Sequence, residues 1–323
     1  LRLDGNSFTA SANGFKEIFS PRFSVSYAVK PKININATVG RYNKVPVYTI
    51  LGYRNSAGEL ENSDVKNIIS DHIAGGLEFL PTPSLRITVE GFYKFYSNYP
   101  VSIAKGISLA NLGADFGAIG NEAVISSGKG KSYGAELFVQ QKLTKDYYIT
   151  ASYTFFYSKF SGLDGKYVAS SWDTRNLLSL IVGKKFKKGW ELGVKYRLSG
   201  GAPYSPYDMP LSQSTYTITG QGADDYSKLN TERLPLFNQL DLRIDKKFNY
   251  KRTTLNIYLD FQNVLMSKSV SKDYYTFQRN ADNTDFETTD GKALKADGSN
   301  AIPLLIKNED TTFIPALGII YQF

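Results

Sequence analysis

Few residues of this chain could do covalent chemistry. His72 is the sole histidine among 323 residues, and cysteine is absent. A histidine-based triad or a multi-histidine zinc site cannot be assembled from this chain. Thiolate catalysis and iron–sulfur ligation are excluded as well. His72 stands beside Ile73 in an alternating run, on its polar side, where a plain structural role suits it. The stretch Asp282-Asn283-Thr284-Asp285 through Asp290, Asp297 and Glu309 offers hard oxygen ligands of the kind calcium takes. It lacks the EF-hand spacing, and a solvated loop is the simpler reading. Gly128-Lys129-Gly130-Lys131 is too short for a phosphate loop, and no Walker pattern follows. No catalytic, cofactor or metal residue is assigned, and no enzyme activity is expected.

Binding chemistry is better supplied. Trp172 and Asp173 precede one strand-like run, and Tyr204, Tyr207 and Asp208 follow another in a Gly/Pro/Tyr segment. Aromatic side chains on loops can stack on sugars or planar ligands. The alternative is that they pack the loops together. The formal net charge of +8 suits nucleic acid, an acidic substrate or lipopolysaccharide. The basic residues are scattered, and no nucleic-acid motif is present, so nucleic acid is set aside.

The elements that must carry these residues are strands. Phe23, Val25, Tyr27 and Val29 alternate with Arg22, Ser24, Ser26 and Ala28. After the turn Lys30-Pro31-Lys32, Ile33, Ile35, Ala37 and Val39 alternate with Asn34, Asn36, Thr38 and Gly40. Such period-2 runs recur around 72–79, 85–95, 135–140, 149–158, 174–186, 190–198, 240–245 and 255–262. About eleven strands result, near the length of about 9–11 residues that a tilted membrane strand needs. Short turns alternate strictly with loops of about 13 to 47 residues, the longest between about Met266 and Asp310, which is unusual for a compact soluble domain. The polar runs carry Glu90, Glu136, Glu191, Lys195, Arg197, Asp241, Arg243, Asp245 and Asp260 in mid-strand. No run approaches the 18 or so apolar residues of a membrane helix. The mildly negative mean hydropathy does not exclude a membrane barrel, whose lumen is polar.

The final strand carries Phe313, Leu317, Ile319, Tyr321 and Phe323 on one face, with Ala316, Gly318 and Gln322 on the other. Ile314 and Ile320 are exceptions. A closing aromatic suits the interfacial girdle of a barrel. Tyr147, Phe186, Trp190, Phe248 and Phe323 are expected in a girdle beside the short turns. Tyr96, Phe160 and Tyr196 are expected in a second girdle near the long loops. Gly318, Tyr321 and Phe323 resemble the C-terminal signal read by the outer-membrane assembly machinery.

The chain resembles the C-terminal half of a TonB-dependent outer-membrane receptor, in the Tyr- and Lys-rich manner of Bacteroidota members. The carriers are Phe19-Ser20-Pro21-Arg22-Phe23, Gly130-Lys131-Ser132-Tyr133-Gly134-Ala135-Glu136-Leu137 and Gly200-Gly201-Ala202-Pro203-Tyr204. Arg233-Leu234-Pro235 with Leu240-Asp241-Leu242-Arg243, Gln262-Asn263-Val264-Leu265 and Tyr321-Gln322-Phe323 complete them. The resemblance implies an all-β, antiparallel transmembrane β-barrel in the bacterial outer membrane. Residues 1–323 would supply about eleven of 22 strands, with short periplasmic turns and long extracellular loops. It implies a plug and a TonB-contacting segment that this sequence does not contain, and hence import of a scarce nutrient such as a siderophore, cobalamin, a glycan or a peptide. The partners it implies are outer-membrane lipid, lipopolysaccharide, the TonB complex, the barrel assembly machinery and a surface lipoprotein.

With Phe323 at the periplasmic end, the first complete strand runs downward. It is expected to pair with a strand ending at Leu1 to Asp4, so that the sequence is a mature or truncated piece. The alternatives are a passive channel or adhesion barrel of the same architecture, or a soluble β-rich surface protein.

Overall fold

The computed structural model describes residues 2–4, 16–113 and 119–323. Eleven long strands form one antiparallel sheet, each beside its neighbours in sequence. They are β1 (Arg22–Lys30), β2 (Ile33–Lys44), β3 (Ile68–Thr82), β4 (Leu85–Ser102) and β5 (Val124–Thr144). Then follow β6 (Tyr147–Ser161), β7 (Asn176–Lys185), β8 (Trp190–Ser199), β9 (Phe237–Asn249), β10 (Thr254–Gln262) and β11 (Ile314–Gln322). β1 and β11 are the two edges, so the sheet is an open arc.

The short turns all lie at one end of the arc. Lys145 and Asp146 both adopt positive φ, the pairing of a two-residue hairpin turn whose twist matches the flanking strands. The long connections lie at the other end.

Two expectations need correction. Arg2–Asp4 pairs with Lys16–Ile18 rather than with β1 itself. Pro21, which has no N–H for a ladder, stands between Ile18 and β1. Leu1 and most of the loop expected after Asn6 lie outside the described residues. Second, the strand expected over 135–140 is the middle of a strand 21 residues long. Its Ser/Gly/Lys-rich start reads locally as a loop. Long flanking strands hold it extended, and Gly130 is needed there because a Cβ would lie 2.3 Å from the Phe160 ring. The long loops carry structure of their own. Asp208 caps the helix Met209–Thr219 by accepting from the Leu211 N–H, and Gly220 ends it in the left-handed region.

The register sorts the side chains. Val39, Ile73, Tyr93, Tyr133 and Tyr157 are cross-strand partners on one face, as are Leu77, Val89, Leu137 and Tyr153. Val194, Leu242, Phe261 and Pro315 continue that face. Glu90, Glu136, Glu191, Lys195, Arg197, Asp241, Arg243, Asp245 and Asp260 all fall on the other. One face is made for hydrocarbon and the other for a wet lumen.

Buried apolar residues are accordingly few in the sheet. One cluster joins Ile50, Leu51, Val65, Leu109 and Val124. A second joins Tyr275, Phe277 and Ala301 with Tyr207, Tyr216, Phe286 and Leu294 packed around them. Both lie in the long connections, with Val124 joining the first from the start of β5.

Gly318 has a local role. Its partner across the ladder is Tyr258, and a Cβ at Gly318 would lie 2.0 Å from the Tyr258 ring. That ring lies under the Arg243 guanidinium, 3.7 Å from centroid to Cζ, and Arg243 forks onto Asp245 at 2.9 Å. A lumenal chain of contacts thus ties the last strand to β9. Gly318→Val is expected to lower the folded fraction of the intact receptor in a heat-modifiability assay, and Tyr258→Ala in the same background is expected to restore part of it. On the outer face, Val89→Arg is expected to cost about 2–4 kcal/mol in unfolding from bilayers, whereas the lumenal neighbour change Thr88→Arg costs less than about 1 kcal/mol.

Candidate functional site

A group of aromatic residues on the lumenal face lies at the end bearing the long loops. Tyr42, Ser70, Tyr96, Tyr99, Ser158, Phe160 and Trp172 surround a cavity of about 370 Å³. The ends of β2 to β6 position all of them except Trp172, which a loop supplies. Phe160 packs against Tyr99 and Tyr96, with ring centroids 4.6 and 5.1 Å away. Tyr42 stacks on His72 at 4.3 Å, and the Arg22 guanidinium covers its ring at 4.2 Å. Ser70 Oγ and His72 Nε2 share a 2.7 Å hydrogen bond. This is a stacking surface edged by hydroxyls and Lys44, with Arg22 over the Tyr42 ring.

Phe160 also borders a second cavity, of about 690 Å³, among Lys105, Asn111, Lys166, Tyr167, Tyr226 and Asn230. Burial raises the Tyr226 phenol above its ordinary value, so it stays a neutral donor at physiological pH. Phe160 is the residue that the two cavities share.

Tyr204 and Tyr207 line a third cavity, of about 540 Å³, with Met209, Arg233, Lys272 and Lys307. Lys272 Nζ lies 3.5 Å from the Tyr207 ring centroid and also pairs with Asp224. The Tyr207 hydroxyl donates to the Asp273 carbonyl at 3.0 Å, and burial raises its pKa. A fourth, charged hollow of about 440 Å³ lies on the lumenal wall among Tyr148, Lys195, Arg197, Asp241, Arg243 and Asp260.

The structure separates the residues singled out from sequence. Trp172 is at the first cavity, and Tyr204 and Tyr207 are at the third. Asp208 is occupied as the helix cap. Asp173 is 1% exposed and held by Arg233 at 3.4 Å and Arg175 at 3.7 Å. Arg233 also donates to the carbonyls of Asp173 and Gly201. Asp173 therefore fastens loop 162–175 to loop 200–236. Asn230 Nδ2 adds 2.8 Å bonds to the carbonyls of Asn111 and Ala169, drawing in a third loop. In the acidic stretch, Asp290 accepts from the Lys292 N–H and Asn300 Nδ2, and Asp297 accepts from the Ser299 N–H.

Tyr42, Tyr99 and His72 were missed as a group, and Tyr96 and Phe160 were expected in the outer girdle. Both face the lumen instead, and Phe160 is 3% exposed. Their signal is an aromatic residue on the polar side of an alternating run, which parity alone reveals. Tyr196 does lie on the outer face, across from Leu240. So do Tyr147, Trp190, Phe248 and Tyr321 near the short turns, by the same register.

An antiparallel arc with an apolar outer face, a charged lumenal face, short turns at one end and folded loops at the other defines the wall of an outer-membrane barrel. Residues 1–264 match the family model described as TonB dependent receptor-like, beta-barrel, and the chain belongs to that family. Its setting is the bacterial outer membrane. No curated protein matches the chain in sequence. Among solved structures it is similar to the ferripyoverdine receptor of the outer membrane of Pseudomonas aeruginosa, with 18% identity over 93% of this chain and 33% of that one, at a TM-score of 0.52. The siderophore receptor PiuA from Acinetobacter baumannii gives 14% identity over 93% and 35%, at 0.54. The ferric citrate transporter FecA gives 13% over 94% and 38%, at 0.55. These likenesses concern the fold. The chain spans about a third of the length of these structures.

The Asp173 node is testable. Asp173→Asn is expected to cost about 1–3 kcal/mol locally, because it leaves Arg233 without its buried partner. Hydrogen exchange in the intact receptor should then speed up across loop 200–236 while the strands keep their protection.

Proposed function

We propose that residues 1–323 form the C-terminal part of the barrel domain of a TonB-dependent active importer, supplying wall and extracellular ligand loops. The observation that carries this reading is the ring-lined cavity at the lumenal mouth, in a chain of this family. Substrate arrives from outside, stacks on Trp172, Tyr99 and Tyr96, and is released inward when energy is supplied. No covalent step is part of the reading, and the protein acts as a transporter rather than an enzyme. The plug and the TonB-contacting segment are assigned to protein outside these residues. The charged lumenal wall around Arg243 and Asp241 is the surface against which a plug would rest. Tyr204 and Tyr207 are proposed as contacts of the outer loops, and Asp173 and Asp208 as the residues that hold those loops in shape. Gly318, Tyr321 and Phe323 are proposed to be read by the assembly machinery, and a surface lipoprotein would meet the loop layer.

For the cargo, a ferric siderophore is the first class to test, followed by cobalamin, glycans and peptides. The named relatives support that order, and planar chelating groups suit a stacking surface. The experiment is uptake of each labelled nutrient by cells expressing the intact receptor, with and without TonB. One nutrient should enter only with TonB present, and Trp172→Ala with Tyr99→Ala should weaken its binding about 10-fold or more. Entry without TonB, together with swelling of receptor-bearing liposomes, would identify a passive channel instead.

A further inference from the structure

Scattered along the sequence, the cations gather at one end of the fold. The five short turns with their flanking residues cover 30–32, 82–85, 142–147, 184–190 and 246–253. They carry twelve lysines and arginines against a single acid, Asp146. The formal net charge of the chain is +8, so the residues outside the turns are net negative taken together. Ion pairing repeats the division. Among the described residues, ion pairs occur in the long loops, as between Lys272 and Asp224, and on the walls, as between Arg243 and Asp245. None of them includes a residue of the five turns.

The densest part of this rim is a platform made by two turns. β8 pairs with β9, so the β7–β8 turn and the β9–β10 turn stand side by side. Gly189, at a φ of 77°, comes so close to the second turn that a Cβ there would lie 2.2 Å from the Lys247 carbonyl oxygen. Lys246 Nζ donates to the Lys188 carbonyl. These contacts fix one turn against the other. Six cations are exposed on them, namely Lys185, Lys187, Lys188, Lys247, Lys251 and Arg252. Among the described residues, Glu191 faces Lys185 across the ladder without an ion pair, and Asp245 is forked by Arg243.

Parity separates the platform from the lipid. Lys184 and Lys246 are on the outer face, opposite Leu192 and Trp190. Both lie over aromatic rings, Lys184 Nζ 4.5 Å from the Tyr147 centroid and Lys246 Nζ 4.9 Å from that of Trp190. Lys185 and Lys247, one residue further on, fall on the lumenal side. Lys187, Lys188, Lys251 and Arg252 lie at the hairpin tips, beyond the last ladder pairs Lys185–Glu191 and Asn249–Thr254. Short turns of an outer-membrane barrel face the periplasm. The tips therefore stand in water below the wall.

We propose that this platform docks an acidic, extended segment of a separate periplasmic protein, with carboxylates against Lys187, Lys188, Lys251 and Arg252. Charge complementarity selects that occupant, because cations held at fixed positions repel one another until anions come between them. The four strands above span about 15 Å at a spacing of about 4.8 Å, the length of about five extended residues. A plug would meet the lumenal wall instead, where Arg197 and Arg243 already have Asp241 and Asp245. The platform is at the opposite end from the ring-lined cavity, and its role stands whether the barrel imports its cargo or passes it.

The test titrates the intact, detergent-purified receptor with dye-labelled hexaglutamate, read by fluorescence anisotropy. Binding is expected, with none for hexaglutamine. The variant Lys187→Gln, Lys188→Gln, Lys251→Gln, Arg252→Gln is expected to bind about 30-fold more weakly. Lys251→Gln with Arg252→Gln should weaken binding about 5-fold, and Lys30→Gln with Lys32→Gln, at a distant turn, less than about 2-fold. Heat-modifiability reports whether each variant is folded, and the Lys251/Arg252 pair replaces the fourfold variant if that one fails to fold. Equal binding by the folded platform variant would overturn the proposal. So would a loss from the Lys30/Lys32 pair equal to that from the Lys251/Arg252 pair. Absence of hexaglutamate binding by the intact receptor would overturn it too, since the receptor's own chain would then cover the platform. Short-chain phosphatidylglycerol should compete no better than inorganic phosphate of the same charge. Full displacement of the peptide by that lipid would assign the platform to headgroups instead.

Discussion

Hydrocarbon offers no hydrogen bonds to a polypeptide backbone, and every other feature of this structure answers to that. Each N–H and C=O inside a bilayer must find a partner within the protein, and a ladder of tilted strands provides one. Because side chains alternate across a strand, the same ladder gives one face to lipid and the other to the lumen. The rows Leu77–Val89–Leu137–Tyr153 and Glu90–Glu136 are two outcomes of one register.

That constraint moves the protein's buried apolar groups. In a soluble sheet, Val89 and Leu137 would pack against a second layer. Here they face outward, and the buried clusters belong to the long connections. One centres on Ile50, Leu51 and Leu109, the other on Tyr275 and Phe277. Asn62, itself buried, donates to the carbonyls of Ile50 and Glu122 and accepts from the Val124 N–H, closing the first cluster without an orphaned backbone group. The loops thus fold as small water-side bodies on a membrane scaffold, cross-tied by Asp173, Arg233 and Asn230. Such a rigid layer can hold aromatic rings at the lumenal mouth with little ordering left for a ligand to impose.

The aromatic residues divide by parity into two systems with different solvents. The outer rings, Tyr93, Tyr133 and Tyr157, stack in a row on the apolar outer face. The inner rings, Tyr42, Tyr96, Tyr99 and Phe160, surround a wet cavity. Their chemistry is the same. What each can meet is decided by one residue of offset along the strand, and a single slip of register would exchange them.

The alternation, the turn signals and the mid-strand charges by themselves determined the number of strands, their order, their antiparallel pairing and which charges line the lumen. Those are local properties, because the side-chain period of two is written into every run of five or six residues. The cap Asp208 and stop Gly220 of the helix Met209–Thr219 are local signals too, although the segment reads first as a Gly/Pro/Tyr loop. The length of β5 was not legible there, since Ser, Gly and Lys prefer a loop until neighbouring ladders hold them extended. Nor were the inward direction of Tyr96 and Phe160, the burial of Asp173 between two arginines, or the meeting of Gly189 with Lys247. Each depends on which residue of one strand falls beside which residue of the next. That is fixed only when whole strands are paired, so only the tertiary structure decided it.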